Sequence, residues 1–182
     1  MTLVSKPVIC AHIQARALCP QTASKERHRF LVGTCSLHEH NELSVLEYHE
    51  DSNAIDCPMV YSHPEQIWSI EPSPQDPSLV ITSWQDATGV MGTTLWRMQH
   101  QTLDDIDSAE SGQYLGDRLD LDKIGDFTSS HDASTVNYSA APTNVKWHPT
   151  QDVVLISDEH ELAVWSIDSN SVKVIIPFFL FS

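Results

Sequence analysis

Residues 144–168 read "NVKWHPTQDVVLISDEHELAVWSID". A short alternating segment ends at a His148-Pro149 turn. Gln151-Asp152 follows, then the apolar run "VVLISD", then a loop, then a strand-like segment carrying Trp165. Short runs rich in Val, Ile, Leu and Trp, punctuated by Pro, Asp and Asn, are the pattern of antiparallel strands. Both faces of the last segment carry apolar residues. That suits a strand covered on both sides.

The same grammar occurs earlier. Residues 67–84, "IWSIEPSPQDPSLVITSW", run through Ser73-Pro74, Gln75-Asp76 and "SLVITS" to the loop "QDATGVMGT", and then to "TTLWRM" with Trp96. Proline to tryptophan is 22 residues there (Pro74 to Trp96) and 16 in the later copy (Pro149 to Trp165). The difference falls in a loop, where insertions cost little. A first block joins "FLVGT" (Phe30 to Thr34), the loop "CSLHEHN" and "ELSVLEY", and places Leu46 at the tryptophan position. Self-similarity of this kind signals a repeat architecture. The expected blocks are 8–62, 63–126 and 135–176, each an antiparallel four-stranded unit, with no long amphipathic helix.

Between the second and third blocks, residues 104–132 hold nine acidic and two basic residues. Residues 104–113 are expected to be a solvated acidic loop. "YLGDRLDLDKI", Tyr114 to Ile124, alternates enough to be the outer strand of the second block, its charges discouraging edge pairing. Residues 177–182 form an apolar tail of different character.

The chain has 182 residues with 10 basic and 25 acidic, a net charge of −15. That balance argues against nucleic acid or direct membrane insertion as the mode of partnership, since both need clustered Lys and Arg or long apolar spans. The run "VIIPFFLF" is too short to span a bilayer and is broken by Pro177. No secretory leader is visible, so Cys10, Cys19, Cys35 and Cys57, none in CxxC spacing, read as reduced structural thiols. The sequon Asn137-Tyr138-Ser139 then carries no glycan.

The blocks resemble WD repeats, the β-propeller family with about 40–45 residues per blade. Trp96 and Trp165 match the third-strand tryptophan of that family, but Arg97 and Ser166 stand where Asp is usual. The Gly-His opening is absent, with His63-Pro64 and His131-Asp132 as weak counterparts. This removes the basis for expecting the buried Asp-His-Ser/Thr-Trp network of some blades. "QARAL" (Gln14 to Leu18), "QTA" (Gln21 to Ala23), "RFLVGT" (Arg29 to Thr34), "SPQD" and "LWRM" are in register with one branch of the family. Its members interact with the endosome-associated recycling and Golgi-associated retrograde tethering complexes. The resemblance covers most of residues 12–170. It implies a cytoplasmic, non-catalytic scaffold in endosomal recycling and retrograde transport. The partners would be tethering-complex subunits at endosomes or the trans-Golgi network. Rival readings are a chromatin- or histone-binding adaptor, a ubiquitin-ligase substrate receptor, a metal-dependent hydrolase on a propeller, and a fragment without independent function. A full propeller of this family has about seven blades, so three unclosed blades are expected to be marginally stable or to self-associate.

Chemical motifs are sparse. His38-Glu39-His40 would put two imidazoles on one strand face without a third ligand, and an exposed loop is the expectation. Asp104-Asp105 with Asp107 lacks the glycine and closing glutamate of a calcium loop. No GxSxG, P-loop or GxGxxG occurs. No cofactor, metal or small-molecule substrate is expected. Trp68, Trp96, Trp147 and Trp165 are expected in the core, with Pro74 and Pro149 at turns. Trp84, before a loop, is the expected exposed aromatic contact.

Overall fold

The computed structural model describes residues 14–99, 118–127, 144–157, 161–167 and 171–177. All described elements are strands. Three four-stranded antiparallel sheets follow one another along the chain. The first holds β1 (Ala15–Pro20), β2 (His28–Thr34), β3 (Asn41–His49) and β4 (Ala54–His63), paired in that order. The second holds β5 (Gln66–Pro72), β6 (Leu79–Gln85), β7 (Met91–Met98) and β8 (Leu121–Asp126). The third holds β9 (Asn144–Trp147), β10 (Val153–Ser157), β11 (Glu161–Ser166) and β12 (Ser171–Pro177). The first strands of neighbouring sheets meet, β1 packing on β5 and β5 on β9.

Residues directly opposite across a ladder share a face, so the register sorts every side chain. In the first sheet Leu31, Val45 and Met59 align, as do Leu43 and Tyr61. This trailing face packs against the leading face of the second sheet, Ile67, Ile70, Val80, Trp96 and Met98. Gly33 lies at the closest approach, where an added Cβ would come within 2.6 Å of Ile67 Cγ2. The trailing face of the second sheet, Ile81 and Leu95, packs with Phe127 against Val145, Val154, Ile156, Ala163 and Trp165.

A register break falls at one position in all three sheets: between Val45 and Glu47, Leu95 and Trp96, Val164 and Trp165. Leu46 therefore does occupy the tryptophan position, on the leading face of the first sheet. It is half-buried there, whereas Trp96 and Trp165 are buried.

Two expectations change. The outer strand of the second sheet is Leu121–Asp126, where the anticipated strand was 114–124; residues 118–120 are not part of it, and 114–117 lie outside the described residues. Leu119 instead bridges Tyr61 in parallel, with its N–H donating to the Val60 carbonyl (2.9 Å) and its carbonyl accepting from Ser62 N–H (2.8 Å). Arg118 beside it pairs with the buried carboxylate of Glu42. The connector thus ties the second sheet to the edge of the first, because the unpaired backbone of β4 offers partners that an isolated loop would lack. Pro177 ends β12 rather than opening a tail. The segment 104–113, His131-Asp132 and residues 178–182 lie outside the described residues.

Candidate functional site

At one end of the sheets lie the β2–β3, β4–β5 and β6–β7 connections. Each is held by its own short polar side chains. In the β2–β3 loop, Ser36 Oγ accepts from the N–H groups of His38 (3.3 Å) and Glu39 (3.0 Å), and Asn41 Oδ1 accepts from Ser36 N–H (2.7 Å). In the β6–β7 loop, Asp86 Oδ1 accepts from Thr88 N–H and Oγ1 (2.8 and 2.7 Å) and from Val90 N–H (2.9 Å). The loop turns at Gly89, whose φ of +92° suits glycine. These donors, the Thr88 hydroxyl foremost, hold the Asp86 carboxyl below its usual range. Glu65, on the neighbouring connection, is pushed up, first by burial and then by the charge of Asp86. The rim is therefore preorganised and carries adjacent acidic groups.

Beneath it runs a buried polar relay. Trp96 Nε1–H donates to Thr82 Oγ1 (2.8 Å), and Thr82 Oγ1 lies 3.0 Å from His63 Nε2. His63 Nδ1 lies 2.7 Å from the Glu65 carbonyl. The Glu65 N–H also lies 3.2 Å from Nδ1, but the carbonyl contact is the shorter, and a carbonyl only accepts; with the imidazole proton on Nδ1 the Thr82 hydroxyl donates to Nε2. Burial pushes the His63 pKa down to about 4, so the ring is neutral at neutral pH. The imidazole and indole meet edge to face at 5.3 Å. This corrects the sequence expectation: the His-Thr-Trp part of the network exists, and the Glu65 carbonyl receives the imidazole N–H. In the third sheet Ile156 occupies the Thr82 position and Phe127 meets Trp165 edge to face at 5.2 Å. An apolar pair there fills the space that the polar relay fills in the second sheet.

The remaining tryptophans are placed as follows. Trp147 is half-buried and donates its indole N–H to the Glu71 carbonyl (2.9 Å), joining the second and third sheets. Trp84 is half-buried rather than freely exposed. Its ring covers Gly92, and its N–H donates to Thr94 Oγ1 (2.8 Å), which donates to Asp126 Oδ1 (2.7 Å). Trp68 is half-buried, outside the core. It sits at a β-bulge of β5, matched by Arg16 at a bulge of β1. Bulges re-aim side chains, and here the Arg16 guanidinium stacks on the Trp68 ring at 3.5 Å. Pro74 is half-buried in a turn where Ser73 Oγ accepts from the N–H groups of Gln75 and Asp76 (both 3.2 Å). Pro149 is exposed in the equivalent turn, where His148 Nδ1 accepts from Thr150 N–H (3.3 Å).

His38 and His40 are exposed on the β2–β3 loop. Among the described residues no group of three His, Cys, Asp or Glu is placed to hold a metal ion, and no helix is long and apolar enough to cross a membrane. The described face offers hydrogen-bonding and stacking groups on internally hydrogen-bonded connections. Asp86, Glu65, Trp84, Arg16 and Trp68 are its prominent members. Sequence reading had His63 only as a weak counterpart of the family's opening histidine, and missed Thr82 and Arg16. The signal for the first two was the separation of 19 residues to Thr82 and a further 14 to Trp96, obscured by the missing glycine.

A family model described as EIPR1 beta-propeller matches residues 8–174. The EARP and GARP complex-interacting protein 1 of Homo sapiens is 28% identical over 93% of this chain and 43% of its own length. The EARP-interacting protein homolog of Gekko japonicus gives the same figures. WD repeat-containing protein DWA2 of Arabidopsis thaliana is 27% identical over 86% of this chain and 40% of its own. The chain thus spans less than half the length of these curated relatives. Among solved structures, the β-propeller domain of Myceliophteria thermophila Cps50 (Swd1) superposes with a TM-score of 0.56 at 15% identity. That match covers 94% of this chain and 47% of that one. The RRP9 WD40 repeats give 0.51 at 10% identity, over 94% and 41%. At these identities the structural matches speak to the fold alone.

Proposed function

The chain belongs to the EIPR1 beta-propeller family, and from that premise we propose that it is a non-catalytic protein-interaction scaffold for the EARP and GARP tethering complexes. The observation that carries this reading is the family match across residues 8–174. The human relative's name states what that protein interacts with. The proposed setting is endosomal recycling and retrograde transport. The chain would be cytoplasmic and held at endosomes or the trans-Golgi network through its partners.

The mechanism is binding without a chemical step. Loop residues locked by Ser36, Asn41 and Asp86 lose little further freedom when a partner docks, which lowers the entropic cost of association. Trp84, half-buried over Gly92, and the Arg16–Trp68 stack are the aromatic groups proposed to meet a partner there.

Affinity capture of the tagged chain from cells, read by mass spectrometry, tests the proposal. Enrichment of tethering-complex subunits is the expected result. Enrichment of histones or cullin adaptors in their place overturns it. Stoichiometric metal that is lost in His38→Ala/His40→Ala would overturn the non-catalytic reading.

A further inference from the structure

We propose that the Arg16–Trp68 stack is a receptor for a single carboxylate, an aspartate or glutamate side chain on a protein partner. The proposal rests on the scaffold reading only for the source of that carboxylate. The stack lies between two adjoining sheets, on the contacting strands β1 and β5. Each residue is the extra one at a bulge, Arg16 between Ala15 and Ala17, Trp68 between Ile67 and Ser69. Such a residue has no ladder partner and is aimed away from the sheet's alternation. Two bulges, one on each strand, bring guanidinium and indole to 3.5 Å. A guanidinium carries all its N–H donors in its own plane. Seated on the ring, it covers one indole face and keeps its donor edge for a ligand. Arg16 is exposed.

The chain is rich in acid, with a net charge of −15, yet this cation has no carboxylate partner among the described residues. Arg27 and Arg29 are taken by Glu47, Arg118 by Glu42, Lys123 by Asp126 and Lys146 by Glu71. Glu65, three residues from Trp68, is pushed up by burial and by Asp86, where a nearby guanidinium would have held it down. Exposed Lys25 and Arg97 have no ring beneath them among the described residues. Arg16 is thus the cation held in place without an acid. A second observation points the same way. Trp68 Nε1–H is buried with no acceptor, so the stack combines a full and a partial positive charge and offers no acceptor of its own. A carboxylate complements that donor set, and a guanidinium fork takes one bidentately. Because the stack already fixes the long side chain, binding costs it little rotamer freedom. The surrounding negative charge repels an acidic tract, so the fitting ligand is one carboxylate on a segment of low net charge.

The experiment is a titration of the full chain with the peptide acetyl-Ala-Glu-Ala-amide, with its Gln counterpart and with inorganic phosphate. Heteronuclear NMR reads the Arg16 Nε–H and Trp68 Nε1–H signals, assigned through Arg16→Met and Trp68→Phe. Both should move saturably with the Glu peptide, half-complete on the order of 10 mM, a fragment's affinity, and stay still with the Gln peptide. The Trp96 and Trp147 indole signals, bonded within the fold, should not move and report that each variant is folded. Arg16→Met keeps an apolar cover on the ring and should abolish the Trp68 response. Arg16→Lys keeps the charge without the planar fork and should bind at least about fivefold more weakly. A parent chain that ignores the Glu peptide overturns the proposal. So does an equal response to the Gln peptide, a tighter response to phosphate, a Trp68 response that survives Arg16→Met, or parent-like binding by Arg16→Lys. No tethering complex is present, so this titration can fail while EARP binding holds, and hold while EARP binding fails.

Discussion

Replacing Thr82 by Val tests the buried relay most sharply. The two side chains are nearly isosteric, and Thr82 is fully buried. Its hydroxyl accepts from Trp96 Nε1–H and donates to His63 Nε2, so the substitution orphans two buried groups at once. An unsatisfied buried polar group costs about 1–3 kcal/mol. Thr82→Val is therefore expected to lose about 2–4 kcal/mol, a large share of a typical domain's stability. His63→Phe alone leaves the Thr82 hydroxyl without an acceptor and the Glu65 carbonyl without its imidazole donor, and is expected to cost about 1–3 kcal/mol. The double variant moves the site toward the Phe127–Ile156–Trp165 arrangement of the third sheet. It should cost less than the sum of the singles by about 1 kcal/mol or more, since the two residues share one network. Urea unfolding followed by circular dichroism gives all corners of the cycle. A Thr82→Val loss below about 0.5 kcal/mol, the range of an ordinary surface change, would refute the reasoning. Strict additivity would refute it too.

The relay also predicts a pH dependence. His63 titrates at 6.5 when free and at about 4 when folded, so the folded state keeps it neutral. Its contribution is complete above pH 6.5 and is lost as pH falls toward 4, amounting to about 3 kcal/mol at about 1.4 kcal/mol per pH unit. Thermal or urea unfolding across that range should show the slope, and His63→Phe should abolish it. Glu47 adds a second, lower window. Burial opposes its charge, but Arg29 and Arg27 hold its carboxyl below 4.5, so that share of stability is lost only as pH falls below 4.5. Gly92→Ala would place a methyl inside the Trp84 ring. It should displace the indole, break its bond to Thr94, and cost about 1–3 kcal/mol by overpacking, with a red-shifted tryptophan emission as the direct check. Arg16→Ala should remove the stack on Trp68 and cost about 0.5–1 kcal/mol, read from the urea midpoint.

The strand order and the tryptophan positions were legible because alternation and turn residues are local. Trp96 and Trp165 are buried, and the register break puts Leu46 at their position in the first sheet. The inner strands were harder. A bulge shifts face parity by one residue, so alternation could not reveal that Trp68 leaves the core and meets Arg16 across two sheets. The relay was hidden for another reason. A backbone carbonyl, at Glu65, receives the imidazole N–H, and carbonyls leave no trace in a sequence pattern. Phe127 as the apolar counterpart of His63 was invisible until the third sheet was in place. The Leu119 bridge to Tyr61 joins residues far apart in the chain, which no local signal encodes.

Direct binding measures the central claim. Purified EARP complex passed over the immobilised chain should bind saturably, and the Arg16→Ala/Trp84→Ala variant, folded by circular dichroism, should bind at least about tenfold more weakly, the loss of a modest hot spot. Absence of binding by the folded parent chain, or equal binding by the variant, would contradict a scaffold that works through this rim.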